Sequence, residues 1–362
     1  MIHYRHKFSV IALLLGVATV FLYLESCTTD PPSKIYNPTA YEVKIPSFFP
    51  PYPVNPDNEL TVEGLALGKR LFYDKILSGD NSQACASCHQ QEANFVDKDK
   101  QFSEGIDGTI GKRNAMPLSN LAYGERFFWD GRAASIEEQV LMPIQDVTEM
   151  HETLGNAISE LQNHPEYPDM FFEAFGTETI TEELLSKALA QFMRSIISYT
   201  YKLAPGATGR SYRNAQQERG FMVYLDENKG DCFHCHTVTL MNTDFRFVNN
   251  GVNSAGATDQ GLFAVTNDPK DINRFKTPSL INLKYSAPYM HDGRFNTLEE
   301  VLAFYDTGFH VTPTLDVNIR KHADQEGKPI PRTWTEQDKK DLIYFLESLV
   351  DEDLLSNPAY AP

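Results

Sequence analysis

Apolar residues recur at helical spacing in several separate stretches of this chain, and each stretch predicts a helix with one buried face. The clearest stretch covers residues 179–199, and its apolar positions are Leu184, Leu185, Ala188, Leu189, Phe192 and Ile196. Further helices are predicted after Thr61, from about Ser135, from about Asn214 to Leu225, and after Thr335. Residues 95–120 are polar and rich in glycine, which indicates a loop. The pattern therefore predicts a mainly α-helical protein.

The N-terminus has the form of an export signal. Arg5, His6 and Lys7 precede an apolar run, residues 8–26, in which Glu25 is the only charged residue. Cys27 follows directly and resembles the cysteine of a bacterial lipobox, so residues 1–27 are predicted to be a lipoprotein signal that ends at a lipidated Cys27. An uncleaved membrane anchor and simple cleavage that leaves a free thiol are the alternatives. All three place the body of the protein outside the cytoplasm, and the first predicts a periplasmic lipoprotein held to the membrane by its lipid alone.

A proline-rich stretch, residues 28–58, follows the apolar run. Proline blocks helix formation and favours extended chain, so this stretch is predicted to be a tether. The 362 residues of the chain are enough for two domains of ordinary size. Pro205 and Gly206 mark their junction, which predicts domains at residues 59–205 and 206–352.

Two short runs carry the candidate chemistry: Cys85-Ala86-Ser87-Cys88-His89 and Cys232-Phe233-His234-Cys235-His236. Each has the form Cys-x-x-Cys-His, which is the attachment signature of c-type haem. A redox-active cysteine pair would not need the histidine, and a joint four-cysteine zinc site would leave both histidines without a role. The runs therefore predict two covalently bound haem c groups, with His89 and His236 as iron ligands.

The two halves of the chain repeat one another at a shift of 162 residues. Asp130-Gly131-Arg132 aligns with Asp292-Gly293-Arg294, and Ser135-Ile136-Glu137-Glu138 aligns with Thr297-Leu298-Glu299-Glu300, without a gap. Such a repeat indicates a duplicated domain. The predicted fold is mainly α, with two tandem cytochrome c-like haem domains related by internal duplication.

Differences between the aligned halves predict different surroundings for the two haems. No histidine occurs between His89 and His151, and Met116, the remaining candidate ligand there, is better interpreted as a loop residue packed at the haem edge. Pro143 aligns with Tyr305. Candidate ligands in the second half are Met241, Met290, Tyr305 and His310. Because axial ligands control haem chemistry, the asymmetry predicts one open haem for reaction and one filled haem for electron supply.

Together with the two haem motifs, Phe127-Phe128-Trp129-Asp130-Gly131-Arg132 and His291-Asp292-Gly293-Arg294 resemble the bacterial dihaem cytochrome c peroxidase family over about residues 60–350. The resemblance implies that the first haem reacts with hydrogen peroxide and that the second receives or stores electrons. It implies haem contacts for Trp129, Arg132, His291 and Arg294. It also places the catalytic acid in Ile136-Glu137-Glu138-Gln139, where Glu138 is the predicted residue, although Glu138 also fits a helix capping box.

The resemblance further implies a ligand to the second haem 14 residues beyond His291. Ordinary peroxidases have methionine there, whereas this chain has Tyr305, as in the MauG-like branch of the family. A phenolate ligand stabilises ferric and higher oxidation states. Tyr305 is therefore the predicted ligand and Met290 its rival; the other interpretation of Tyr305 is a packed aromatic residue.

Three other features follow from the resemblance. Members that need reductive activation carry a loop histidine on the first iron, and its absence here implies a site that is open in the resting ferric protein. Many members place a tryptophan between the haems near Leu118 and Ser119, and this chain has none at those positions. The family also binds one calcium ion, mostly through carbonyl oxygens and water, and Ser286 and Pro288 match two of the positions.

Three functions remain open from the sequence. The first is a peroxidase that reduces hydrogen peroxide with electrons from a small c-type cytochrome or a copper protein. The second is a MauG-like oxidase of a protein or small-molecule substrate, and the third is a non-catalytic electron carrier. The net charge of −17 predicts no nucleic-acid partner and leaves a basic redox partner open. A homodimer is a further open expectation.

Overall fold

In a computed structural model of the protein, residues 34–45, 49–198, 214–237 and 245–362 are described, and residues 38–362 form one compact unit. The predicted signal with Cys27, the junction at Pro205 and the candidate ligand Met241 lie outside the described residues. Within the described ranges, no helix is both long enough and apolar enough to cross a membrane.

The regular structure of this unit is mostly helical, as predicted. The α-helices are α1 (Val62–Tyr73), α2 (Cys85–Cys88), α3 (Ile136–Gln145), α4 (Leu154–Asn163), α5 (Tyr167–Phe175), α6 (Glu182–Ser195), α7 (Ala215–Leu225), α8 (Phe263–Thr266), α9 (Leu298–Ala303), α10 (Val317–Arg320), α11 (Glu336–Glu347) and α12 (Glu352–Ser356). A π-helical turn, Phe304–Gly308, continues α9. Strands β1 (Phe247–Val248) and β2 (Phe275–Lys276) pair antiparallel.

Four of the helices begin directly after the residues at which the sequence predicts their starts, and each of these residues is a cap. Thr61 Oγ1 accepts a hydrogen bond from Gly64 N–H at 3.0 Å, and Ser135 Oγ accepts one from Glu138 N–H at 3.0 Å. Asn214 and Thr335 cap α7 and α11 in the same way. Each such cap stabilises a helix by about 1 kcal/mol, so the local sequence fixes where these helices start.

The internal duplication is confirmed by the way the helices pack. In the first half, α1 packs against α6, and Gly68 contacts the carbonyl of Ala188. In the second half, α7 packs against α11 in the same way, and Gly220 contacts the carbonyl of Asp341. A methyl group at either glycine would overlap that carbonyl oxygen. Left-handed backbone recurs at aligned positions as well, and the aligned pairs are Asn120 with Asn282, Phe128 with Met290 and Gly131 with Gly293.

Each half has its own hydrophobic core. The first core includes Leu71, Phe192 and other residues of α1 and α3 to α6, whereas the second core includes Tyr224, Phe345 and other residues of α7, α9 and α11. The C-terminal residues cross to the first half: Leu354 belongs to the first core, and Tyr73 Oη donates a hydrogen bond to the Tyr360 carbonyl at 2.6 Å. The predicted end of the second domain at residue 352 leaves this segment out.

Part of the stretch predicted to be a tether, residues 49–58, is packed on the first half. Phe49 is buried and meets Tyr123 with ring centroids 5.5 Å apart. Tyr52 Oη donates to the Arg194 carbonyl at 3.3 Å, and Asn58 Nδ2 donates to Glu137 Oε1 at 2.9 Å. Proline content alone indicated extended chain, but the aromatic and amide side chains between the prolines attach that chain to the body.

Candidate active site

A cavity of about 990 Å³ opens beside the first Cys-x-x-Cys-His run and has Cys85, Cys88 and His89 in its wall. The predicted glycine-rich loop, residues 102–119, forms one side, and α3 with the turn after it forms another. The second half closes the cavity with residues 276–279. The volume is at the upper end of the range for pockets that bind small molecules and cofactors, which is roughly 300–1,000 Å³.

The first histidine is oriented as an iron ligand requires. His89 Nδ1 donates a hydrogen bond to the Phe95 carbonyl at 2.7 Å, which leaves Nε2 as the nitrogen with a lone pair. In metal-binding histidines, a hydrogen bond from the nitrogen that does not bind the metal fixes the orientation and the tautomer of the ring. The two thiols, the oriented imidazole and the size of the cavity therefore fit a covalently attached haem.

The wall formed by α3 offers no side chain that resembles an axial ligand. Gln139 and Pro143, one helical turn apart, line the cavity. Pro143 is the residue that aligns with Tyr305, and it has no donor for iron. Among the described residues that line the cavity, His89 is the only histidine and there is no tyrosine. The backbone of Met116 lies beside the His89 ring, which favours the interpretation of Met116 as a packed loop residue.

Glu149 is the glutamate that the turn after α3 brings into this cavity. The chain folds back there, because Met150 N–H donates to the Pro143 carbonyl at 3.3 Å and Ile106 N–H donates to the Glu149 carbonyl at 3.0 Å. Burial and the neighbouring Asp146 carboxylate raise the pKa of Glu149, and Arg132 opposes them. The cavity therefore contains a carboxyl group whose raised pKa favours its use as a proton donor and acceptor.

Glu138, the catalytic residue predicted from the sequence, does not line the cavity beside His89. Its side chain is exposed at the start of α3, where Oε2 accepts a hydrogen bond from Ala134 N–H at 2.7 Å. Glu300 makes the same bond to Asn296 N–H at 2.6 Å in the second half. Both carboxylates therefore bond the backbone just before their helices, and Gln139, the residue after Glu138, lines the cavity.

The sequence contained a signal for Glu149 that the motif comparison missed. Position 149 aligns with Val311 at the 162-residue shift, so its carboxylate belongs to the first half alone, whereas Glu138 aligns with another glutamate. A catalytic acid needed at one haem is expected among the residues that differ between the halves.

Trp129 and His291 meet at the boundary between the two halves, and both are buried. Their ring centroids are 6.5 Å apart in an edge-to-face arrangement, and His291 also stacks on Phe275 at 3.7 Å. Asn114 connects them, since its N–H donates to the His291 carbonyl and its carbonyl accepts from Trp129 Nε1, each at 2.8 Å. Trp129 therefore supplies an indole between the halves, whereas the positions at which many family members have a tryptophan hold Leu118 and Ser119 here.

The two predicted arginines differ in position. Arg132 lines the first cavity, where its guanidinium lies 3.5 Å from the centroid of the Phe128 ring and pairs with Asp130. Arg294 instead pairs with Asp292 and donates to the Val252 carbonyl at 2.6 Å. Arg132 therefore lies beside the first site, whereas Arg294 holds the loop around residue 252 by a hydrogen bond.

The second Cys-x-x-Cys-His run lies next to Tyr305. Cys232 and Cys235 are close enough to Tyr305 to affect its phenol, and burial raises the pKa of Tyr305 to about 12. Arg332 joins the two segments, because Nε donates to the Tyr305 carbonyl at 2.9 Å and Nη1 donates to the Lys229 carbonyl at 2.8 Å. The carbonyl of His236 accepts a hydrogen bond from Tyr224 Oη.

The rival ligands have different surroundings. Met290 packs in the same small hydrophobic cluster as Tyr305, and Asn250 Nδ2 lies 3.5 Å from its sulfur. His310 is exposed, so the structure does not bring it to the second site. Tyr305 and Met290 therefore remain as the two candidate side chains in the described part of this site.

The duplicated helical fold and the two Cys-x-x-Cys-His sites define a dihaem c-type protein. A family model described as di-haem cytochrome c peroxidase matches residues 62–206. The cytochrome-c peroxidase IdrP1 of Pseudomonas sp. (strain SCT) is 33% identical over 345 residues, covering 86% of this chain and 88% of that protein. The chain belongs to the di-haem cytochrome c peroxidase family.

Two further similarities show which members resemble this chain. The methylamine utilization protein MauG of Methylorubrum extorquens is 35% identical over 303 residues, covering 82% of this chain and 80% of that protein. The crystal structure of a MauG-like protein associated with microbial copper homeostasis superposes with a TM-score of 0.78 at 30% identity, covering 89% of this chain and 99% of that chain. The predicted fold class is therefore confirmed.

Proposed function

We propose that this protein is a dihaem peroxidase that reduces hydrogen peroxide at the first site. The observation that carries the proposal is the position of the Glu149 carboxyl group, whose pKa is raised, in the wall of the cavity beside His89. The reaction consumes one peroxide, two electrons and two protons and releases two waters. A haem bound there through Cys85, Cys88 and His89 would supply the iron that exchanges electrons with peroxide.

Glu149 accepts and donates the proton that moves between the two peroxide oxygens in this reaction. As a carboxylate it accepts the proton of the peroxide oxygen nearer the iron, and as an acid it returns that proton to the departing oxygen. The amide of Gln139 and the guanidinium of Arg132 line the same cavity, where they provide hydrogen-bond donors for the oxygens. The apolar residues of the wall limit the entry of water, which strengthens these interactions.

The second site supplies or stores electrons, with Tyr305 as the proposed second ligand to its iron. The proximity of Tyr305 to Cys232 and Cys235 supports this role. A small c-type cytochrome or a copper protein is the proposed electron donor. Tyr305 also favours a second candidate function, the oxidation of a protein or small molecule with peroxide, because a phenolate ligand stabilises oxidised iron.

Mixing the resting protein with hydrogen peroxide in a stopped-flow spectrometer tests the proposal. A rapid spectral change, followed by turnover when reduced cytochrome c is added, supports the peroxidase. A rapid change without cytochrome turnover favours the oxidase function. No reaction with peroxide would leave only the electron carrier and would reject both enzymatic functions.

Three further assignments accompany this function. The proposed export to the periplasm and lipidation at Cys27 are tested by mass spectrometry of the mature N-terminus. A calcium ion is proposed at Ser286 and Pro288, where metal analysis before and after chelation is the test. Among the described residues, no group of three or more carboxylate, cysteine or histidine side chains could hold a metal ion, so this calcium site would depend on carbonyl oxygens.

A further inference from the structure

We propose that Asn250 positions the phenol oxygen of Tyr305 and tunes the reduction potential of the second haem by donating a hydrogen bond to that oxygen. The inference rests on the proposed role of Tyr305 as a ligand to the second iron. Nδ2 of Asn250 lies 3.1 Å from Tyr305 Oη and 3.5 Å from Met290 Sδ. A thioether is a weak acceptor compared with a phenol oxygen, so the bond to Tyr305 dominates.

The orientation of the Asn250 amide follows from its other bond. Oδ1 accepts a hydrogen bond from Val252 N–H at 3.1 Å. An N–H donor needs the oxygen end of the amide, so Nδ2 is the end that faces Tyr305. Asn250 is therefore a donor to Tyr305, and a carboxylate of the same shape would not replace it.

The loop that carries Asn250 is fixed on both sides. Asn249 is buried, with Nδ2 donating to Thr312 Oγ1 at 2.9 Å and Oδ1 accepting from Gly251 N–H at 2.9 Å. Arg294 donates to the Val252 carbonyl at 2.6 Å. Because the backbone before and after Asn250 is held, its amide stays at a constant position.

The backbone of Tyr305 is held in place as well. It lies in the π-helical turn Phe304–Gly308, and such turns occur frequently at functional sites. Arg332 Nε donates to the Tyr305 carbonyl at 2.9 Å. One bond therefore fixes the backbone of Tyr305 and the Asn250 bond fixes its hydroxyl group, which leaves the ring little freedom to leave the iron.

The hydrogen bond has an electronic consequence. A donor to the ligand oxygen withdraws electron density that the oxygen would otherwise give to iron, and hydrogen bonds of this kind are a main protein control over haem potential. The bond from Asn250 therefore raises the potential of the second haem above that of an unassisted tyrosinate ligand, and its removal lowers the potential.

The test is a spectroelectrochemical titration of the full-length dihaem protein. Asn250→Leu removes the donor, and Asn250→Asp keeps the size while removing both N–H groups. Both variants are expected to lower the reduction potential of the second haem and to leave that of the first haem unchanged. Asn163→Leu, a change at an exposed asparagine at the end of α4 in the first half, serves as the matched control with an unchanged second-haem potential.

The outcomes separate this inference from the proposed function. If both Asn250 variants keep the wild-type potential while Tyr305→Phe alters the low-spin signal of the second haem, the role of Asn250 is rejected and the ligand role of Tyr305 stands. If Tyr305→Phe leaves that signal unaltered, the ligand assignment is rejected and the inference is rejected with it. An increase in potential in the Asn250 variants also overturns the inference.

Discussion

Trp129 and His291 occupy equivalent positions in the two halves of the chain and meet edge to face, with ring centroids 6.5 Å apart. Trp129 lines the first cavity, and His291 directly follows Met290 of the second site. The duplication has thus placed the two copies of one position against each other at the boundary between the halves. We propose that this contact gives electrons a short route between the sites.

Trp129→Phe is expected to slow electron exchange between the two haems while leaving the first encounter with peroxide intact. Phenylalanine keeps a ring in contact with His291 but is much harder to oxidise than indole. Rapid-mixing spectra would follow the two haems separately, with the second haem responding later than in the wild type. Trp334→Phe is the matched control, because Trp334 belongs to the second hydrophobic core. Equal delays in the two variants would contradict a specific role for Trp129.

Glu149→Gln is expected to slow the reaction with peroxide by roughly 100- to 10,000-fold, which is the usual size of a general acid–base contribution. Glutamine has nearly the same shape but cannot carry the proton. Glu138→Gln is the control and should retain a near-wild-type rate, since Glu138 is an exposed helix cap. Stopped-flow rates at matched haem content provide the measurement, and a larger loss in Glu138→Gln would restore the assignment made from the sequence.

The pH dependence of the peroxide reaction is expected to report the raised pKa of Glu149. Glu149 must be ionised to accept the peroxide proton, so the rate falls as the pH decreases through its pKa. Burial and Asp146 raise that pKa above the ordinary value of 4.5, and the acidic limb of kcat/KM should therefore lie above pH 4.5.

Asp146→Asn should move this limb to lower pH, because it removes a negative charge that raises the pKa of Glu149. Asparagine can still accept the hydrogen bond from Thr148 N–H, which is 2.8 Å long in the wild type. Profiles of kcat/KM against pH for both proteins are the measurement. If the acidic limb of kcat/KM lies at the same pH in both proteins, the electrostatic coupling of Asp146 and Glu149 is contradicted.

Gly220→Ala is expected to destabilise the second half by about 1–3 kcal/mol, the usual cost of overpacking. Its Cβ would overlap the carbonyl of Asp341 on α11. Gly155→Ala is the matched control, because Gly155 is exposed in α4 with no atom within 4 Å of the added methyl group. That change should stabilise the protein by up to about 1 kcal/mol. Denaturant unfolding measures both, and equal stabilities would reject the packing argument.

The sequence predicted the helical architecture and the duplication because both depend on local signals. Caps such as Thr61 and Asn214 mark helix starts, and the Cys-x-x-Cys-His runs anchor the comparison of the halves. The attachment of residues 49–58 to the body could not be predicted, because it depends on partners far along the chain, such as Glu137 and Arg194.

The same distinction applies to the two candidate acids. Glu138 stands in a recognisable motif, but its side chain at the start of α3 is exposed, whereas Glu149 reaches the cavity only because the chain folds back after the helix. Pro143, which aligns with Tyr305, lines the cavity and offers no ligand atom for iron. Differences between the aligned copies therefore supply candidate residues that motif membership alone does not.

We propose that the two halves hold one open haem and one haem with two protein ligands. Electron paramagnetic resonance of the resting ferric protein tests it most directly. The structure predicts a high-spin signal from the haem at His89 and a low-spin signal from the haem at His236, with only the high-spin signal lost at once when peroxide is added. Two low-spin signals, unaltered by peroxide, would contradict the claim.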